Sequence, residues 1–246
     1  MQSLSKEVKQ AYENQYDASI VAWREVNGRH KAENIVRVLS KHRISPLRVC
    51  EVGCGEGSIL KALGQTGVGE ELYGLDISTS AIDIAKGKDI ARLVEIKPFD
   101  GYHIPYPDAS FDLVVCSHVI EHVEHPRLLL REIKRISKMQ YFEVPIDFSL
   151  QVDRKLEHYL GYGHINVYTP SLFRFLLKSE KFEIVDEVHV FISDDILKLM
   201  FKEDRAGLLK KKIKNALVKS VGVLRDLKPD AYGVLSRTGA GGLEIF

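Results

Sequence analysis

The 246-residue sequence contains no apolar stretch long enough to cross a bilayer, no internal repeat, three cysteines and a single tryptophan. Without about 20 consecutive apolar residues, no segment reads as a membrane-spanning helix. Cys50, Cys54 and Cys116 make no spaced framework, which points to a reducing, cytoplasmic setting rather than a disulfide scaffold. The opening MQSLSKEVKQ is polar and charged, unlike a secretory leader. A net charge of +1 gives no global pull toward nucleic acid or a membrane. What is left is an ordinary globular composition, 45% hydrophobic and 28% charged, with length for one α/β domain and a sizeable core.

One stretch organises the rest, residues 47–60, LRVCEVGCGEGSIL. An apolar run carries Glu51 and then breaks at Gly53, Gly55 and Gly57 before a second apolar run begins. A buried strand that ends in a glycine turn and feeds a helix is a cradle for a nucleotide-like ligand. Glycine lets the backbone come close to that ligand, and the helix starting near Ser58 offers its positive end to a carboxylate or phosphate. The spacing G-x-G-x-G lacks the third glycine position of a dinucleotide fingerprint, and no G-K-[ST] follows, which excludes a P-loop.

Val8, Tyr12, Tyr16, Ile20 and Trp23 recur at helical spacing over residues 6–26, as a packed helix or as a lid whose tyrosines reach a ligand. Asn27-Gly28 is expected to end that helix, and a second one follows with Ala32, Ile35, Val36 and Leu39 inward. LYGLDI (residues 72–77) reads as a strand ending in Asp76, placed either to accept two ribose hydroxyls or to cap the next helix. Residues 92–98 read as a third strand running into Phe99-Asp100-Gly101, and residues 111–116 as a fourth after the Pro107-Asp108 turn. A helix over 128–138 and a short strand over 141–144 follow, joined by Ser137–Gln140 as a turn. Residues 146–168 read as a connecting, substrate-facing insertion carrying Tyr159, Tyr162, His164 and Tyr168. A helix opens at Thr169-Pro170-Ser171, a strand covers 182–191, and an antiparallel strand covers 232–236. Between these, 205–228 is basic, with Leu209, Ile213, Ala216 and Leu217 as its apolar face: a surface helix or a weak membrane-surface contact.

The segment E-x-G-x-G-x-G resembles motif I of the class I S-adenosylmethionine (SAM) methyltransferases, and IPYPDASFDLVVCSHVIEHV (residues 104–123) resembles their motif IV. The resemblance covers roughly residues 30–190. It implies a Rossmann-like three-layer α/β sandwich with a seven-stranded, mostly parallel sheet in the order 3-2-1-4-5-7-6. Residues 1–45 would form a helical cap, 46–193 the SAM-binding core, and 194–246 a basic helix, last strand and tail completing the same domain. The implied cofactor is SAM, leaving as S-adenosylhomocysteine (SAH). Its site would draw on Tyr16, Glu51, Gly53, Cys54, Gly55, Gly57, Asp76, Ile77, Asp100, Gly101, Ser117 and His118, with Glu51 and the glycines at the methionine part, Asp76 at the ribose and Asp100 at the adenine.

His118, His122 and His164 are the candidate general bases, since histidine titrates near neutral pH. His118 to His122 also spells H-x-x-E-H, the inverted zinc-peptidase pattern, which needs a helix where this context supplies a strand end. A similar E-x-x-E-H stretch binds a divalent metal in small-RNA 2′-O-methyltransferases and ubiquinone-pathway O-methyltransferases, so His118, Glu121, His122 and His164 form a candidate ligand set. The expected reaction is methyl transfer to a hydroxyl of a small molecule or saccharide. Its alternatives are N-methylation, metal-assisted 2′-O transfer, and SAM binding without turnover. No nucleic-acid-binding module is evident.

Overall fold

The computed structural model describes residues 21–147, 163–202, 204–220 and 229–239, together with positions 157, 159, 161 and 222. Helix α1 (Val21–Lys41) leads into strand β1 (Arg48–Val52). The sheet continues with β2 (Glu71–Asp76), β3 (Leu93–Pro98), β4 (Phe111–Ser117), β5 (Ser137–Pro145), β6 (Phe182–Val190) and β7 (Ala231–Thr238). The strands lie in the order β3-β2-β1-β4-β5-β7-β6, the order expected. The first five are parallel, and β7 runs antiparallel to both β5 and β6.

The central strands are buried along most of their length because both faces of the sheet are covered. Successive side chains alternate between two cores. Val49, Leu113 and Val115 point to the face packed by α1, α2 (Ser58–Thr66) and α3 (Thr79–Lys86), against Ile35, Leu60, Leu63 and Ile82. Cys50, Val114 and Cys116 point to the other face, covered by α4 (Pro126–Ile136) and α5 (Pro170–Ser179), against Leu129, Ile133, Phe173 and Leu177. All three cysteines are buried as free thiols. The strand order reverses between β1 and β4, so their carboxyl ends open the crevice where open α/β sheets hold ligands.

Two local expectations are overturned. Asn27-Gly28 does not stop a helix, since α1 runs straight through it. Gly28 lies where α1 meets the start of α2, and a Cβ there would come 2.7 Å from the Ser58 Cβ and 2.9 Å from its carbonyl oxygen. Glycine marks a close approach here, not a terminus. Ser137–Gln140 is not a turn either. Helix α4 ends at Ile136, Ser137 is already extended (φ −137°, ψ 147°), and it pairs with Phe111. The Gln140 side-chain amide donates to the Ser137 carbonyl (3.1 Å) in place of turn hydrogen bonds. The basic segment is a surface helix, α7 (Arg205–Ser220), which turns Asn215 and Val218 inward and leaves Leu209, Ile213 and Leu217 exposed. Lys211 to Asp230 (3.2 Å) and Lys212 to Asp194 (2.6 Å) pin its polar side to the body.

Tyr12 and Tyr16 lie outside the described residues, and Trp23 is 43% exposed instead of packed inward. Among the described residues, no helix is long and apolar enough to cross a membrane.

Candidate active site

Strand β1 passes directly into the glycine turn. Gly53, Gly55 and Gly57 all take positive φ (76°, 52° and 79°), a region that side-chain-bearing residues avoid. The N–H groups of Gly53 and Cys54 donate to the Leu75 carbonyl at 2.7 and 3.0 Å, tying the turn to β2. The carboxylate of Asp76, at the end of β2, accepts from Gly55 N–H (2.7 Å) and Ser78 N–H (2.9 Å). One buried side chain thus orders two adjacent loops.

A cavity of about 550 Å³ opens beside this turn. Trp23 and Lys31 of α1 line it, as do Ile196 and Met200 of α6 (Asp194–Met200). Gly53, Cys54 and Gly55 make the rim, and Glu51, Ser117, His118 and Glu143 make the polar end. Burial at this end is severe: Glu51 is 2% exposed, Glu143 1% and Lys31 9%. Burial pushes the Glu51 carboxyl well above the usual range, with Lys31 opposing and Asp76 adding to the rise. Among the described residues, Glu51 Oε2 has no hydrogen-bond partner. Burial alone would also raise Glu143, but His118, the charge of Lys31 and the Tyr141 hydroxyl (3.0 Å) hold it below the ordinary value. Burial lowers Lys31, against the attraction of Glu143, Glu121 and Glu51.

His118 sits at the centre. Its backbone takes a left-handed φ of 56°, uncommon for a residue with a side chain, and its N–H donates to the Glu143 carbonyl (2.8 Å). That conformation sets the imidazole between two buried carboxylates, Nε2 at 3.4 Å from Glu143 Oε1 and Nδ1 at 3.6 Å from Glu121 Oε1.

The other expected site residues fall in two groups. Asp76, Ile77, Asp100 and Gly101 follow the neighbouring strand ends of β2 and β3 and do not line this cavity. Asp100 is turned onto its own loop, accepting from Tyr102 N–H (2.8 Å), His103 N–H (2.6 Å) and His103 Nδ1 (2.7 Å). His122 and His164 stand behind His118, off the cavity, with their rings edge to face at 4.8 Å. Burial lowers the His122 pKa, whereas the Asp147 bond raises that of His164 in spite of burial.

Lys31 and Glu143 were not singled out from the sequence, although both leave a trace there. Lys31 shares the buried stripe of α1 with Ile35 and Val38, where a charge is out of place. Glu143 interrupts the apolar second half of β5, Tyr141 to Pro145.

Residues 50–140 match the family model described as "Methyltransferase domain". Among curated proteins, the chain is 32% identical over 90 residues to a demethylmenaquinone methyltransferase of Lactobacillus johnsonii, covering 35% of this chain and 37% of that protein. It is 32% identical over 96 residues to ajmaline N-methyltransferase of Rauvolfia serpentina (37% and 33%), and 30% over 117 residues to the ubiquinone biosynthesis O-methyltransferase of Thiobacillus denitrificans (39% and 48%). These matches span a third to a half of the relatives' own length. Among solved structures, the magnesium protoporphyrin IX methyltransferase of Synechocystis with bound SAH superposes with a TM-score of 0.58 at 15% identity, over 95% of this chain and 94% of that one. A chain of the Haloferax volcanii complex containing the Trm112 methyltransferase activator superposes at 0.66 and 17% identity, over 96% and 100%. The fold is that of the class I SAM-dependent methyltransferases.

Proposed function

We propose that this chain, whose residues 50–140 form a methyltransferase domain, binds SAM at the Gly53–Gly57 turn and transfers its methyl group to a hydroxyl of a small molecule or saccharide. The observation that carries the reading is Glu51: a carboxylate oxygen, buried and without a hydrogen-bond partner, beside a cavity of about 550 Å³. Leaving such a group unpaired costs several kcal/mol, and an ammonium group such as the one on the methionine part of SAM supplies both the charge and the donors. The cavity is of ordinary size for a small-molecule site.

In this reading Asp76 serves the ribose from the position in which it already orders Gly55, and the adenine extends past the cavity toward Ile77, Asp100 and Gly101 on the loops after β2 and β3. SAM brings an activated methyl on a sulfonium, so the protein has to align the acceptor and take up its proton. Of the three candidate histidines, His118 lines the cavity and is the proposed base, with Glu143 orienting its ring. His122 and His164 support it from behind.

The apolar lining from Trp23, Ile196 and Met200, together with the polar Glu51, Ser117, His118 and Glu143, suits an acceptor with an apolar body and one polar reacting atom. Relatives named for O- and N-methylation support methyl transfer in general rather than the atom. Nitrogen is the second reading, favoured by the ionised Glu143 at the cavity's end, which would hold an amine. The test is SAH formation from SAM with a panel of phenols, sugars and amines. Turnover with hydroxyl acceptors supports the reading, and turnover with amines alone replaces it by the second.

A further inference from the structure

Antiparallel neighbours can be joined by a hairpin of about two residues, yet between β6 and β7 the chain runs through residues 191–230 and builds α6 and α7 there. Helix α7 is oriented unlike a helix that only covers a core. Its buried positions are Asn215 and Val218, while Leu209, Ile213 and Leu217 are 61%, 53% and 59% exposed. At about 100° per residue these three stand in one stripe about 12 Å long, on the side opposite Asn215 and Val218.

Charge is arranged around that stripe. The helix reads RAGLLKKKIKNALVKS, with six cations and no acidic residue. The whole chain carries a net charge of only +1, so this is a local concentration. By the helical repeat, Lys210 and Lys214 flank the apolar stripe on one side, and Arg205, Lys212 and Lys219 flank it on the other. Lys211 and Lys212 reach back to Asp230 and Asp194, and Lys219 Nζ lies 5.0 Å from the centre of the Phe191 ring. These contacts hold the helix to the body with its stripe already presented. Arg205, Lys210 and Lys214 are exposed.

We infer that α7 is a docking surface for an anionic lipid bilayer, lying flat with Leu209, Ile213 and Leu217 among the acyl chains and its flanking cations at the headgroups. The combination selects that occupant. Nucleic acid would answer the cations, but its phosphates offer nothing to bury three aliphatic side chains. A second copy docked by the same face would bring the α7 lysines against one another across a two-fold axis. A bilayer surface meets both needs at once, apolar at the centre of the contact and negative at its edges.

Helix α6 adds Leu199 and Met200, 39% and 56% exposed, and Met200 also lines the cavity. A lipid-dissolved acceptor is what such docking would bring to the protein, and that consequence alone rests on the methyl-transfer reading.

The test is flotation of the full chain with vesicles of phosphatidylglycerol mixed with phosphatidylcholine, and with vesicles of phosphatidylcholine alone. Binding to the anionic vesicles is expected, weakening as added salt screens the headgroups. Lys210→Gln and Lys214→Gln should each weaken it about fivefold. Leu209→Ser, Ile213→Ser and Leu217→Ser together should weaken it at least about tenfold. All five side chains are exposed, so Tm and SAH affinity should stay at the wild-type values. SAH titration of the same proteins separates a failure of docking from a failure of the methyl-transfer reading. No binding to the anionic vesicles, equal binding to phosphatidylcholine alone, or unchanged binding in the triple serine variant would overturn the assignment. Without vesicle binding, a wild-type dimer that the serine variant dissolves would give the stripe to a second copy, and retention of RNA would give the cations to a polyanion.

Discussion

His118 Nε2 lies 3.4 Å from Glu143 Oε1, and the same histidine donates its backbone N–H to the Glu143 carbonyl. The pair joins the ends of β4 and β5 twice, once through the main chain and once through the side chains. It fixes an imidazole at the cavity in a backbone conformation that costs about 1 kcal/mol or more to hold. Strain of this kind at a strand end beside a ligand cavity marks a side chain kept for its position.

Replacing that side chain separates position from chemistry. Asparagine tolerates the left-handed region, so His118→Asn is expected to keep the fold, with a lower Tm from the lost contact to Glu143. Turnover should fall by about 10²–10⁴-fold with SAH affinity retained, the range for loss of a general base. A steady-state assay paired with SAH titration reads both. Equal turnover in the variant would remove His118 from the reaction.

Gly28→Ala is expected to destabilise the chain although alanine is the better helix former by about 1 kcal/mol. The added methyl would meet Ser58 at 2.7 Å, and overpacking of this kind costs about 1–3 kcal/mol. Since Ser58 begins α2 behind the glycine turn, weaker SAH binding should accompany the lower Tm. Thermal melts with and without SAH measure both effects.

Glu180 gives a pH signature away from the cavity. Burial alone would raise its pKa, but Arg131 (2.8 Å) and Arg127 (2.6 Å) bring it below the ordinary value of 4.5. A depressed folded-state pKa contributes stability above the unfolded value, and that stability disappears as pH falls through the folded one. Glu180→Gln should therefore cost about 2 kcal/mol at pH 7 and progressively less below pH 4.5, where wild type loses the same contacts. Urea unfolding at pH 7 and at decreasing acid pH checks the convergence.

Much of this architecture is readable because its cause is local. The central strands β1 and β4 are mostly apolar, and Gly53–Gly57 announces its turn through residue type alone. The sheet order followed from the resemblance of motifs in sequence order, not from periodicity. What escaped depends on tertiary contact. Asn27-Gly28 carries a stop signal that the approach of Ser58 overrides. Lys31 and Glu143 come together only when α1 crosses the ends of β1, β4 and β5.

The central claim is that SAM is held beside the glycine turn with its ammonium group on Glu51, and calorimetric titration of SAH tests it most directly. The account predicts one site per chain, no competition from NAD, and at least about tenfold weaker binding in Glu51→Gln, the loss of one charged hydrogen bond. Absence of SAH binding, or equal affinity in wild type and Glu51→Gln, would contradict it.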